Sequence, residues 1–135
     1  FIKGVQASGE ENYVRDHLPG VALHQMGTGF TWDTQDRESD ITAAKRTWEH
    51  AREMLTDASY DLVVLDELTY MLAFDYLPES EVINALTGRP ESQSVVVTGR
   101  GGGQALREAM DTVSEVKEIK HAYRTGIRAR QGVDY

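Results

Sequence analysis

Two short apolar runs, each ending in polar residues, constrain this chain more than any other feature. Residues 61–67 read "DLVVLDE" and residues 92–101 read "SQSVVVTGRG". Neither run alternates apolar with polar residues, as a strand with one wet face would. An unbroken Val/Leu run of this length is what a strand buried on both faces of a parallel sheet looks like. Between the runs, "LPESEVINALTGRP" (77–90) predicts a helix capped at Ser80 or its neighbours and ending at Gly88 before Pro90.

The same alternation extends along the chain. From Ser39 to Ala58, the residues Ile41, Ala44, Trp48, Ala51, Leu55 and Ala58 recur at steps of three or four, one face of a helix. Ser39 and Asp40 are both good N-cap types for it. "GVALHQMG" (20–27) reads as a short strand bounded by glycines, and "QALREAMD" (104–111) as a short helix. The segment from Thr112 onward should hold one or two edge strands and a tail. Strands alternating with helices predict an α/β fold with a mostly parallel sheet flanked by helices. The chain of 135 residues suits a single domain and shows neither a repeat nor a low-complexity segment.

Charge and composition narrow the partners. A formal net charge of −8, from 14 basic and 22 acidic side chains, argues against a nucleic acid or a membrane surface, because both would want a basic face. With no cysteine, thiolate metal sites, disulfides and cysteine nucleophiles are excluded, and a reducing cytoplasm fits. No apolar run approaches the roughly 18 residues of a membrane span. The sequence opens at Phe1 inside "FIKG", which reads as the end of a strand, so an N-terminal part of a longer protein is expected upstream.

In open parallel sheets, ligands bind at the carboxyl ends of the strands. Here those ends carry Asp66-Glu67 and Thr98-Gly99-Arg100-Gly101-Gly102-Gly103. An apolar strand ending in acids is the arrangement of a Walker-B segment, where a carboxylate serves Mg²⁺ on a nucleotide triphosphate. It is equally the start of a helix, where acids favour the dipole. Glycines let a backbone approach a phosphate, and arginine pairs with phosphate oxygens; the alternative is a flexible turn. No phosphate loop of the form GxxxxGK followed by Ser or Thr occurs in the chain.

The remaining chemistry-bearing residues are less distinctive. His17, His24, His50 and His121 are scattered singly and read as surface or packing residues. Met26, Met54, Met71 and Met110 read as core. Tyr70, Phe74 and Tyr76 form an aromatic stripe that reads as core, with Tyr70 one turn from the acids and within reach of a ligand. "QDRESD" (35–40) reads as a solvated helix start. Phe30 and Trp32 stand in a loop between Gly–Thr turn-formers and a polar run, and composition alone points to core packing for them.

Read together, "GFTWDTQDRESD", "LVVLDELTYMLAFDYLP", "VVVTGRGGGQALREAMDTVSEV" and the terminal "GVDY" resemble the ATP:corrinoid adenosyltransferases of cobalamin salvage and biosynthesis. The resemblance covers essentially the whole chain, and "TGFTWDTQ" and "LDELTYM" are long, unusual strings. It implies a phosphate-loop NTPase-like, recombinase-type three-layer fold. It also implies an enzyme that moves the 5′-deoxyadenosyl group of ATP to the Co(I) of a corrinoid and expels triphosphate. By motif match, Glu67 and Asp66 would serve Mg²⁺, and Arg100 with Thr98 and Gly99 would meet phosphate. Phe30 and Trp32 would lie against the lower corrin face and exclude the axial ligand, with Tyr70 as a further corrinoid contact. The family further suggests a reduced flavoprotein as electron donor and a homodimer. Its phosphate loop has no counterpart here, so the 135 residues alone are expected not to bind ATP productively. Two rival readings follow: a generic phosphate-loop ATPase or regulator with the aromatics as a docking patch, and a non-catalytic corrinoid- or nucleotide-binding remnant.

Overall fold

The computed structural model describes residues 9–24 and 37–130. They fall into two compact units, one of residues 24 and 37–110, the other of residues 9–23 and 111–130.

The larger unit is a mixed α/β body around a small parallel sheet. Strand β1 (Leu62–Leu65) pairs in parallel with β2 (Ser94–Val97) in the register Leu62↔Ser94, Val63↔Val95, Val64↔Val96 and Leu65↔Val97. Three helices accompany them: α2 (Arg37–Thr56), α3 (Leu68–Ala73) and α4 (Glu79–Thr87), the last two forming the crossover from β1 to β2. A short α5 (Gln104–Ala109) follows β2 and packs on α4.

The apolar spacing of α2 works as expected: Ala44, Trp48, Ala51 and Leu55 are buried on one face. Ala58 lies past the helix end and is exposed. Ser39 and Asp40 stand inside the first turn and not at its cap; Asp40 is itself buried, with 8% exposed. In α4 the cap position is taken by Pro78 in an extended conformation, and Ser80 lies one residue inside the helix. Pro suits a helix entrance because its missing N–H has no partner to lose there. Gly88 ends α4 as expected, with its amide bonded to the Asn84 carbonyl at 3.0 Å.

Val82 and Leu86 of α4 meet Trp48 and Leu55 of α2 with Val63, Leu65, Leu68, Met71 and Leu72 in one core cluster. Truncating Leu55 or Leu86 to Ala would cost about 2–5 kcal/mol. The indole N–H of Trp48 donates to Glu81 Oε1 at 2.7 Å, satisfying the one polar atom the ring carries inward. Met71 is core and Met54 and Met110 pack against it; Met26 lies outside the described residues.

Burial on both faces of the sheet, read from the unbroken apolar runs, is not what these residues show. Val63 and Leu65 are buried, whereas Leu62 and Val64 are 53% and 55% exposed, and Val96 beside them is 45% exposed. Side chains alternate across a strand, so the register lines Leu62, Val64, Ser94 and Val96 along one face. Only the opposite face meets a helical layer among the described residues.

The smaller unit holds α1 (Gly9–His17), which the apolar pattern did not signal; two of its three acids open the helix and Arg15 and His17 fall in its last turn, the polarity a helix dipole favours, with Asp16 between them opposing it. The strand expected over 20–27 is absent from its described part. Pro19 and Gly20 instead turn the chain, and the Val21 amide bonds to the Leu18 carbonyl at 2.9 Å. Residues 25–27 lie outside the described residues, as does the terminal "GVDY". The edge strands expected after Thr112 are likewise absent among the described residues. A strand exists only where its backbone finds a ladder partner, and residues 112–121 have none there. What forms is one 3₁₀ turn, Ala122–Thr125, capped by His121 Nδ1 accepting from the Tyr123 amide and closed by Gly126 at φ +80°.

Candidate functional site at the paired strand tips

The parallel register decides the site. Because Leu65 pairs with Val97, the next residues along, Asp66 and Thr98, emerge side by side at the carboxyl ends of the strands. The Thr98 amide still donates to the Leu65 carbonyl at 3.1 Å, extending the ladder by one step. The Thr98 hydroxyl then donates to Asp66 Oδ1 at 2.6 Å and accepts from the Glu67 amide at 2.9 Å.

The chain must pass from β1 into α3 within two residues, and it does so by placing Glu67 in the left-handed region, φ 58° and ψ 18°. For a residue with a side chain this conformation costs roughly 1–2 kcal/mol. The Asp66 and Glu67 side chains are half-buried. The carboxylate of Glu67 has no hydrogen-bond or ion-pair partner among the described residues, and Asp66 commits one oxygen to Thr98. Two carboxylates on one strand tip, one of them unengaged, are hard oxygen donors suited to a cation such as Mg²⁺. The donor chemistry therefore fits the ion.

The glycine-rich turn lies over α3. A Cβ on Gly99 would collide with the hydroxyl of Thr69, and one on Gly102 would stand 2.8 Å from both the Ala73 nitrogen and the Thr69 carbonyl oxygen. Close packing on α3 thus accounts for glycine at these two positions, whatever the turn binds. Arg100, between them, is exposed and has no partner among the described residues. The turn ends at α5, whose Leu106 amide is taken by Glu79 Oε1 at 2.8 Å.

Tyr70 lies along α3 from the acids. The stripe it begins is core only at its far end, where Tyr76 packs against the core cluster. α3 buries Leu68, Met71 and Leu72, which puts Tyr70 on the opposite side of so short a helix. A left-handed residue at Asp75, φ 56°, then takes the chain out of the helix. Phe74 stacks on Tyr70 with ring centres 6.3 Å apart and is 37% exposed; Tyr76 follows at 5.7 Å from Phe74. The Arg37 guanidinium lies 5.6 Å from the Tyr76 ring centre and donates to the Phe74 carbonyl at 3.1 Å. The result is a partly exposed aromatic row beginning beside the acids.

Of the residues singled out from sequence, the fold brings together Asp66, Glu67, Thr98 and Gly99, with Tyr70 and Arg100 on the adjoining segments. Phe30 and Trp32 lie outside the described residues. The histidines are not all solitary: His24 Nδ1 and His50 Nε2 stand 3.2 Å apart, and His50 Nδ1 is 3.4 Å from Glu53 Oε2. His50 and Glu53 at i, i+3 on one helix were a legible pair; the approach of His24 was not. No cluster of three or more metal-ligating side chains occurs among the described residues.

Fold and site together define a parallel α/β protein whose strand tips present carboxylates, a hydroxyl and an exposed guanidinium. The sequence matches, over residues 1–135, the family described as ATP:corrinoid adenosyltransferase BtuR/CobO/CobP. A corrinoid adenosyltransferase of Escherichia coli (strain K12) is 53% identical over 135 residues, covering 100% of this chain and 68% of that protein. Corrinoid adenosyltransferase CobA of Salmonella typhimurium (strain LT2) is 50% identical over the same extent, again 68% of its length. A corrinoid adenosyltransferase of Pseudomonas aeruginosa (strain PAO1) is 46% identical, with 66% of its length covered. The chain belongs to the ATP:corrinoid adenosyltransferase family.

Proposed function

We propose that the paired tips of β1 and β2 form the triphosphate end of the site at which this transferase works. The enzyme transfers the 5′-deoxyadenosyl group of ATP to the Co(I) of a corrinoid in cobalamin metabolism. The two-electron nucleophile Co(I) attacks the ribose C5′, the C5′–O bond breaks, and its electron pair leaves with intact triphosphate; cobalt ends formally as Co(III). The observation that carries the assignment is the side-by-side emergence of Asp66 and Thr98 beside an unengaged Glu67, in a chain matched to the family along its whole length.

A displacement at carbon needs in-line positioning and charge stabilisation on the leaving side. Glu67 and Asp66 hold Mg²⁺, which when bound neutralises triphosphate charge. Arg100 adds a cation to the same end, and the backbone at Gly99 lies beside it. Phe30 and Trp32 take the lower corrin face and keep the axial ligand off cobalt, which makes Co(II) easier to reduce. Tyr70 adds an aromatic contact to the corrinoid. The sheet belongs to a phosphate-loop, recombinase-type three-layer architecture. A reduced flavoprotein supplies the electron, and the protein acts as a cytoplasmic homodimer. The absence of cysteine agrees with a reducing compartment, and no helix among the described residues is long and apolar enough to cross a membrane.

The test is product analysis. With ATP and chemically reduced corrinoid, intact triphosphate and a light-sensitive cobalt–carbon product are expected. Release of ADP and phosphate, with no alkylated corrinoid, would overturn the assignment in favour of an ATPase.

A further inference from the structure

We propose that Thr98 is a positioning residue for the acidic tip of β1, acting through Asp66 and Glu67 and not on phosphate itself. The proposal deepens the reading above and rests on it for the role of the two acids.

A threonine hydroxyl has one proton and two lone pairs. Here the proton goes to Asp66 Oδ1 at 2.6 Å, in the range of a hydrogen bond to a charged oxygen, and a lone pair takes the Glu67 amide at 2.9 Å. An ionised triphosphate offers only acceptors. A hydroxyl whose proton is already on Asp66 has nothing to give it. The same residue grips β1 by its backbone as well: its amide bonds to the Leu65 carbonyl at 3.1 Å, and its carbonyl accepts from Thr69 at 3.4 Å. Thr98 therefore brackets the turn from Leu65 to Thr69, which contains the left-handed Glu67.

The residue type supports this. The strand reads Val95-Val96-Val97-Thr98, and a fourth valine would serve the strand equally well. Threonine differs from valine only by the hydroxyl, and β-branching limits its χ1, so the oxygen is presented in a narrow direction. That oxygen meets both acidic residues of the tip: the side chain of one and the backbone of the other. Groups that hold metal-ligating carboxylates from behind typically control affinity by about 10- to 100-fold.

The experiment compares Thr98→Val and Thr98→Ser in the full protein. In the absence of any ligand, hydrogen exchange at the Glu67 amide should quicken in Thr98→Val and stay near wild type in Thr98→Ser. In adenosylation of pre-reduced corrinoid at saturating ATP, the Mg²⁺ concentration for half-maximal rate should rise about 10-fold or more in Thr98→Val, with Thr98→Ser within about twofold. In an Asp66→Asn background the same Thr98→Val change should raise it far less. An unchanged Glu67 amide in Thr98→Val overturns the bracket. So does a Mg²⁺ requirement unaltered in Thr98→Val while the KM for ATP rises, since that is the pattern of a direct phosphate ligand. Should Thr98→Val fail to fold, a Thr98→Ser protein that folds but has lost its Mg²⁺ response overturns the proposal by itself. A wild-type protein without adenosylation would sink the functional reading and leave the exchange result to decide the bracket.

Discussion

A Cβ placed on Gly102 would stand 2.8 Å from the backbone nitrogen of Ala73. The glycine-rich turn is thus packed onto α3 by main chain, and main chain cannot swing aside as a flexible side chain can. Gly102 also has φ +59°, a conformation that an L side chain resists. Gly102→Ala should lower stability by about 2 kcal/mol or more. Gly101→Ala, at φ +67° but facing open space, should cost only the conformational part, about 1 kcal/mol. Denaturant unfolding of the two variants checks this. Equal losses would mean that the approach to α3 is not what requires glycine.

Glu67 gives a prediction of the opposite kind, large in activity and small in stability. Its carboxylate engages no described residue, so Glu67→Gln should leave the melting temperature nearly unchanged. If the carboxylate serves the triphosphate end, adenosylation should fall by about 10²-fold. The loss should be the same from Co(II) with a reductant and from pre-reduced Co(I), because the leaving side is common to both. A loss confined to the Co(II) assay would move Glu67 from the triphosphate to the reduction step.

How much of this was legible in the sequence depends on what each feature needed. β1 and β2 were legible because an unbroken Val/Leu run is a local signal. Their joint tip was half legible: acids and a Thr-Gly-Arg-Gly turn at strand ends marked the place. The Asp66–Thr98 contact was not, because it depends on the register Leu65↔Val97, which no local pattern encodes. The two-sided burial failed for the same reason, since Val64 and Val63 are alike in sequence and differ only in which layer faces them. Caps slipped by two residues at Ser80 and by three or four at Ser39 and Asp40, where several polar types in a row compete for one position. The aromatic stripe was legible as core only for Tyr76, which packs against the cluster; Tyr70 and Phe74 are equally apolar but stand off the buried face of α3. The Asp75 turn, which takes Tyr76 off the helix, has no signature in the local pattern. Membership of the family, by contrast, was legible in motif strings before any geometry.

Gln93 is the most buried polar side chain described, 1% exposed, and its Nε2 donates to the carbonyls of Met54, Asp57 and Tyr60. It ties the end of α2 and the following turn to the start of β2. Three acceptors around one nitrogen also fix which end of the amide points inward. Gln93→Leu keeps the volume and strands those carbonyls, so it should destabilise by about 1–3 kcal/mol. A variant as stable as the wild type would show that water satisfies the turn equally well.

The same turn carries a small pH dependence. The Asp57 carboxylate accepts from the Ser59 amide at 2.8 Å. That bond, and a second from the Ser59 side chain, hold its pKa below the ordinary value of 3.8. A lowered folded-state pKa means that the contribution is present above the ordinary value and is lost as pH falls through the lowered one. Full exposure keeps the effect on overall stability slight. In a titration followed by NMR, the Asp57 midpoint should move partway back upward in Ser59→Ala, which removes the hydroxyl bond and keeps the backbone one. An unmoved midpoint would assign the whole shift to the backbone amide.

Phe30 and Trp32 lie outside the described residues, and the prediction for them follows from the chemistry assigned to them. If the rings exclude the axial ligand, their work is finished once cobalt is Co(I), because that state no longer holds the ligand. Phe30→Ala and Trp32→Ala should then cut adenosylation from Co(II) by far more than from chemically pre-reduced Co(I). Paired assays on one preparation separate this from a folding defect, since misfolding would lower both rates together. Equal losses in both assays would make the rings structural. The discriminating quantity is thus the ratio of the two rates in each variant, which cancels differences in active-enzyme concentration and isolates the reduction step.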